Sequence, residues 1–300
     1  MKKILSYLVI LLIFSLTFYY REDILIYYNK YFSSNQKNPT TLEKNDYYRS
    51  YNFKYIANTD NFIPNNKQDI LNIYYTILNS GMSDFTFYCH NEYETCLDDV
   101  KSVAYNKTTL SNINDFVHPY NSFNQIETSF DSLGKIDVKV KHNYTNDMKV
   151  LLNYKVEEVI KNNINNDMTN VEKIRIIHDY IIDNSKYDKN RSDNNIFDYQ
   201  SNTAYGVLLE GYGICSGYTD SMMIFLEKLG IESYKVSSEN HVWNKVLLDN
   251  KWYNLDLTWD DPVNSDGSDS ILHDFFLISD EEMLKNDKTE HIYDKSVYLN

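Results

Sequence analysis

Apolar residues follow different rhythms along this chain. Residues 4–20 form a run without a charged side chain, preceded by Lys2-Lys3 and closed by Arg21-Glu22-Asp23. Over 68–79 the apolar positions Ile70, Leu71, Ile73, Tyr74, Ile77 and Leu78 recur at helical spacing. Ile136, Val138 and Val140 alternate instead, as in a strand with one buried face. Residues 122–130 and 135–142 therefore read as paired strands about a Ser132-Leu133-Gly134 turn. The same rhythms predict a strand at 84–88 and helices at 92–105, 146–163 and 171–184. Thr169, with Glu172 three residues on, offers the last of these a capping box.

Further along, Met222, Met223, Phe225, Leu226 and Leu229 make one face of a helix over 218–229, and Gly230 suits its C-terminal stop. Strand patterns follow at 232–237 and 241–248. Asp249-Asn250 makes a two-residue turn, so 251–257 returns as a hairpin partner. Partner positions in that hairpin sum to about 499. His241 then faces residue 258 and Asp256 faces Trp243, so the His and the Asp share one sheet face in diagonal reach.

The N-terminal run sits at the short end of what spans a bilayer, with Lys2 and Lys3 on the cytoplasmic side. It ends Thr17-Phe18-Tyr19-Tyr20, a poor cleavage site and a good interfacial anchor. The expectation is a signal anchor over 1–22 with the bulk outside the cell membrane, in preference to secretion after signal cleavage. A polar linker over 23–46 follows, then an N-terminal α/β region over 47–147 and an α+β catalytic domain over 148–300. A net charge of -14 with a pI near 4.9 argues against nucleic acid as a partner, since phosphate binding needs basic patches. Three cysteines leave one unpaired in an exported protein. Cys89 and Cys96 are close enough in sequence to pair, or to be two buried thiols; Cys215 is the leftover.

The chemistry concentrates in 205–262, which holds all three tryptophans and five of the eight glycines. In Gly211-Tyr212-Gly213-Ile214-Cys215-Ser216-Gly217 the Cys lies at the start of the predicted helix. There the dipole favours an anion and free backbone N–H groups point outward. Gly213 and Gly217 are expected to let substrate approach the backbone. Cys215 with His241 and Asp256 on compatible faces is the arrangement of a thiol activated by an imidazole that a carboxylate orients. A lone Cys beside glycines is most often a buried thiol; the three side chains in this order and geometry are what favour catalysis. Tyr205 and Trp243 are expected at the cleft, and the Cys215 N–H as an oxyanion donor with Tyr187 or Tyr205 as candidates for the second. His178 reads as a packing or capping residue, and Asp260-Asp261 before Pro262 as a solvated turn.

Gly213-Ile214-Cys215-Ser216-Gly217-Tyr218, His241-Val242-Trp243-Asn244 and Trp252-Tyr253-Asn254-Leu255-Asp256-Leu257-Thr258-Trp259-Asp260 resemble the transglutaminase-like superfamily in its bacterial, often exported, branch. The helix around 172–180, Tyr187-Asp188, and the tail Asp274-Phe275-Phe276-Leu277-Ile278-Ser279-Asp280 are also similar, so the resemblance covers roughly 165–282. It implies a papain-like core with Cys215 as nucleophile, His241 as general base and acid, and Asp256 as its orienter. The expected activity is acyl transfer from a protein or peptide carboxamide, a cell-wall peptide included, through a thioester. This chemistry requires neither a metal nor an organic cofactor. The alternative is a non-catalytic surface module binding peptide or wall polymer.

Overall fold

The computed structural model of the protein describes residues 2–24, 27, 39–262 and 270–298. Helix α1 (Lys2–Tyr19) leaves its apolar side chains from Val9 to Phe14 exposed. Among the described residues no helix is long and apolar enough to cross a membrane, so the expected N-terminal anchor is not supported. The charge-free part of α1 gives a reason: 4–19 at 1.5 Å per residue spans about 24 Å, short of a hydrocarbon core of about 30 Å. Most of the polar linker expected over 23–46 lies outside the described residues.

The next layer is built on α2 (Lys67–Ser80), β1 (Asp84–Tyr88), α3 (Cys96–Ala104), α4 (Lys107–Asn114), β2 (Phe123–Phe130) and β3 (Lys135–His142). The three strands pair antiparallel in the order β1-β3-β2. Phe85 faces Val138 and Phe87 faces Ile136, and all four are buried. The single helix expected over 92–105 is shorter, because residues 89–95 form a loop closed by a Cys89–Cys96 disulfide. Helix α4 went unread since Leu110 and Ile113 are its two buried apolar positions, too few for a stripe.

The second half contains α5 (Asn146–Asn163), α6 (Asn170–Asp183), β4 (Lys186–Tyr187), α7 (Lys189–Asn194), a π-helical turn (Gly206–Glu210), β5 (Tyr212–Gly213) and α8 (Cys215–Lys228). Then come β6 (Ser233–Ser237), β7 (Val242–Leu248), β8 (Lys251–Leu255), the short α9 (Leu257–Asp260) and α10 (Asp280–Asn286). The capping box on α6 forms as its sequence requires, Thr169 accepting from Glu172 N while the Glu172 side chain takes the Thr169 N–H. Strands β6-β7-β8 form an antiparallel sheet with Asn244 opposite Leu255 and Leu248 opposite Lys251. Asp249 and Asn250 both take positive φ (48° and 62°), as a tight hairpin of this twist demands.

Two apolar cores hold these layers. One joins α5, α6 and α8 to Val246 and Leu255. The other starts in the first sheet and continues through Tyr234, Val236, Trp243, Phe275 and Tyr298. Residues 47–147 therefore share a core with the C-terminal half. Buried Arg49 bolts the two together: it donates to the carbonyl of Phe116 at 3.0 Å and to that of Ser233, and its Nε lies 3.4 Å from Glu227. Because Val236 and Trp243 belong to it, this shared core also sets the frame of β6 and β7, the strands beside His241.

Candidate active site

Ile214 ends an extended segment (φ -112°, ψ 176°) and Cys215 is the first residue of α8. The turn before it is held by Ile214 N–H donating to Ser201 O at 2.8 Å. The close fit there explains two glycines. A Cβ on Gly217 would sit 2.3 Å from Ser201 O, and one on Gly213 would sit 2.6 Å from the Tyr218 ring. Both are wanted for packing of α8 against the 200–207 segment, which corrects the expectation that they open the backbone to substrate.

Helix α8 is tied to β7 beside the thiol. The Thr219 hydroxyl lies 2.8 Å from Cys215 O and 2.9 Å from Val242 O, and Asn244 Nδ2 donates to Thr219 O at 3.1 Å. These contacts bring His241, the residue before β7, against Cys215. The Cys215 and Asp256 side chains both act electrostatically on the His241 ring. Its Nε2 is 2.5 Å from Asp256 Oδ2. His241 and Asp256 are buried, while Cys215 is half-buried and so reachable from solvent.

Strand pairing accounts for only part of this meeting. The register runs to a sum of 499 as expected, but pairing stops at Asn244 and Leu255. Asp256 is not a strand residue. It caps α9, its Oδ1 accepting from Thr258 N at 2.9 Å and Trp259 N at 3.4 Å. Capping turns Oδ2 toward His241.

Electrostatics follow from these contacts. Burial disfavours charge on His241, but the Asp256 carboxylate and the Cys215 thiol outweigh it and raise the imidazole from 6.5 to about 10. Burial likewise disfavours charge on Asp256, yet His241 and His291 hold it well below the usual carboxylate range. Sulfur, ring and carboxylate thus form one charge-coupled row.

The other candidates divide. Trp243 is wholly buried, donating to Asn254 Oδ1 at 3.0 Å and lying nearly parallel to the His241 ring at 5.8 Å; it backs the imidazole and does not line a cleft, a correction to the expectation. Tyr205 packs against the apolar core that joins α5, α6 and α8. Burial raises the Tyr187 phenol, with a smaller contribution from Cys215, and its hydroxyl donates to Ser192 Oγ at 3.4 Å. Asp260 is not in a solvated turn: it is fully buried, accepts Phe275 N–H at 3.0 Å and meets His178 Nε2 at 3.1 Å. Tyr218 donates to Asp261 Oδ2 at 2.5 Å. His178 packs between α6 and α9 as a buried side chain, its Nδ1 2.8 Å from Asp179, which His273 also meets at 2.8 Å. The Arg175 guanidinium lies 3.6 Å from Asp179. His178, Asp179 and His273, like His241, Asp256 and His291, place nitrogen and oxygen donors within 4.8 Å of one another, but direct hydrogen bonds already close both groups.

Sequence reasoning missed His291, which is completely buried with its Nε2 2.9 Å from Asp256 Oδ2. It stands in a polar stretch with no periodicity; the one local signal is Asp287 four residues earlier.

Residues 158–257 match the family model of the transglutaminase-like superfamily. No curated protein matches the chain. Among solved structures the chain is similar to a "TGase" at 14% identity and a TM-score of 0.36, over 48% of this chain and 46% of that one. It is also similar to a Cytophaga hutchinsonii protein assigned by its description to the cysteine proteases, at 13% identity and a TM-score of 0.28, over 49% of this chain and 65% of that one. The chain therefore spans less than two thirds of either structure.

Proposed function

We propose that the transglutaminase-like domain at residues 158–257 carries out cysteine-dependent acyl transfer or hydrolysis, with Cys215 as nucleophile, His241 as proton carrier and Asp256 as the group that orients it. The observation carrying this reading is that half-buried Cys215 starts α8 where Thr219 ties that helix to β7, beside a His241 ring whose Nε2 meets Asp256 Oδ2 at 2.5 Å. The family match supports it at the level of the chemistry.

The thiol proton passes to His241 and the sulfur attacks a carboxamide or peptide carbonyl. The oxyanion of the tetrahedral intermediate is received by the Cys215 N–H, which as the first amide of α8 has no carbonyl one helical turn back. We take Tyr187, the tyrosine whose phenol Cys215 influences, as the second donor. The intermediate collapses as His241 returns its proton to the leaving ammonia or amine. The resulting thioester is resolved by an amine, giving a cross-link, or by water, giving deamidation or cleavage. His241 assists by taking the proton of the incoming group.

We assign the protein to an oxidising compartment outside the cytoplasm. The Cys89–Cys96 disulfide and an apolar N-terminal run preceded by two lysines support this placement. Its substrate is a protein or peptide.

The test is to incubate the full chain with a glutamine-containing peptide and a labelled amine, following ammonia, amine incorporation and backbone scission together. Cys215→Ala and His241→Ala should lose whichever product the native chain makes. Unchanged turnover in Cys215→Ala would overturn the reading.

A further inference from the structure

Behind the three side chains just described stands a fourth. His291 is completely buried, boxed by Trp243 at 4.9 Å, Trp259 at 5.2 Å and Phe275 at 5.2 Å between ring centres. Its Nε2 is 2.9 Å from Asp256 Oδ2, the same oxygen that takes His241, and its Nδ1 is 2.9 Å from Asp287 Oδ2. Among the described residues the titratable groups facing this ring are Asp256, His241 and Asp287. An ionised carboxylate can only accept, so the contact to Asp256 Oδ2 is made by a donating His291 Nε2–H.

We propose that His291, held by Asp287, is a positioning residue that locks the Asp256 carboxylate onto His241 and keeps it ionised throughout the reaction. This rests on the acyl-transfer reading. During turnover His241 alternates between cation and neutral ring. In the neutral phase Asp256 is a buried anion that needs donors besides His241, or it takes up a proton. The His291 Nε2–H remains on Oδ2 in both phases. It also stops rotation of the carboxylate: Oδ1 is tied to two helix amides and Oδ2 to two rings that approach nearly at right angles (84°). Asp287 is itself fixed, accepting from Thr289 N, Thr289 Oγ1, Glu290 N and His291 N at 2.6–3.1 Å. That turn presents the His291 ring without slack.

The test measures alkylation of Cys215 by iodoacetamide at pH 6 in the full chain, alongside thermal melting. This rate reports the thiolate–imidazolium pair and needs no substrate. His291→Phe fills the aromatic box but donates nothing; it should slow alkylation by about tenfold or more, in line with the cost of small misplacements in an active site. His291→Gln restores an N–H toward Asp256 and should recover most of that rate. Asp287→Asn leaves the ring in place without its charged anchor and should slow the reaction by about threefold or more. If His291→Phe does not fold, the other two variants decide. Native-rate alkylation in Asp287→Asn or a folded His291→Phe would overturn the inference, as would His291→Gln slowed as much as His291→Phe. A native protein that reacts at pH 6 no faster than an ordinary thiol would sink the acyl-transfer reading itself and this inference with it.

Discussion

Asp256 receives His241 Nε2 at 2.5 Å although the strands that carry the two residues toward each other stop pairing at Asn244 and Leu255. The pair is made by a helix cap, not by a sheet. Because Oδ1 of Asp256 is occupied by the first amides of α9, Oδ2 has one direction to face. The carboxylate is thus set by backbone groups that do not change with the state of the imidazole.

Replacing that carboxylate should separate folding from rate. Asp256→Asn keeps an oxygen for the α9 cap but presents an amide or a neutral oxygen to His241. Turnover should fall by roughly 10²- to 10⁴-fold, as for the equivalent change in other triads. Far-UV circular dichroism should stay native. A variant with native turnover would remove Asp256 from the mechanism.

The pH profile carries a sign that can be checked. His241 is raised from 6.5 to about 10, so the imidazolium that protonates the leaving amine persists through neutral pH and is lost as pH rises through about 10. The alkaline limb of kcat/KM should lie near there. In Asp256→Asn the chief favourable influence on His241 is gone, and what residual activity remains should lose its alkaline limb at lower pH.

Much of this site was legible beforehand, and the reasons are local. The Asp249-Asn250 turn sets the hairpin register, so the approach of His241 to Asp256 could be derived without coordinates. Glycines around Cys215 signalled a tight entry into a helix, though their purpose is packing against Ser201, Val207 and Tyr218. Asp260 looked like a surface acid because two acids before a proline usually face water; its burial depends on His178 and Phe275, 82 and 15 residues away. His291 was illegible for the same reason, its partner at Asp256 being 35 residues distant. Local patterns found the elements and the place of Cys215 at a helix start. Long-range polar contacts, which leave no periodicity, were invisible.

Crowding at Gly217 yields a stability prediction. An added methyl 2.3 Å from the Ser201 carbonyl must push α8 or the 201–203 segment aside. Gly217→Ala should lower unfolding free energy by about 1–3 kcal/mol in urea titrations. It should also reduce turnover, since the first turn of α8 carries Cys215. Native values of both would show that the turn yields at no cost.

Reducing the Cys89–Cys96 bond opens the loop between β1 and α3. For a loop this short, chain-entropy arguments give a loss of about 2–3 kcal/mol. The urea midpoint should drop on reduction or in a Cys89→Ser and Cys96→Ser double variant, with the iodoacetamide reactivity of Cys215 kept below the unfolding transition.

The account rests on the sulfur of Cys215 being activated by the His241 ring, and the most direct measurement is site-specific alkylation of the folded chain by iodoacetamide at pH 6, read by peptide mass spectrometry. An ordinary thiol is almost entirely protonated there. Cys215 should react at least about tenfold faster than a cysteine peptide, and His241→Ala should abolish the advantage. Labelling that matches the peptide's rate, or that waits for urea, would contradict the account.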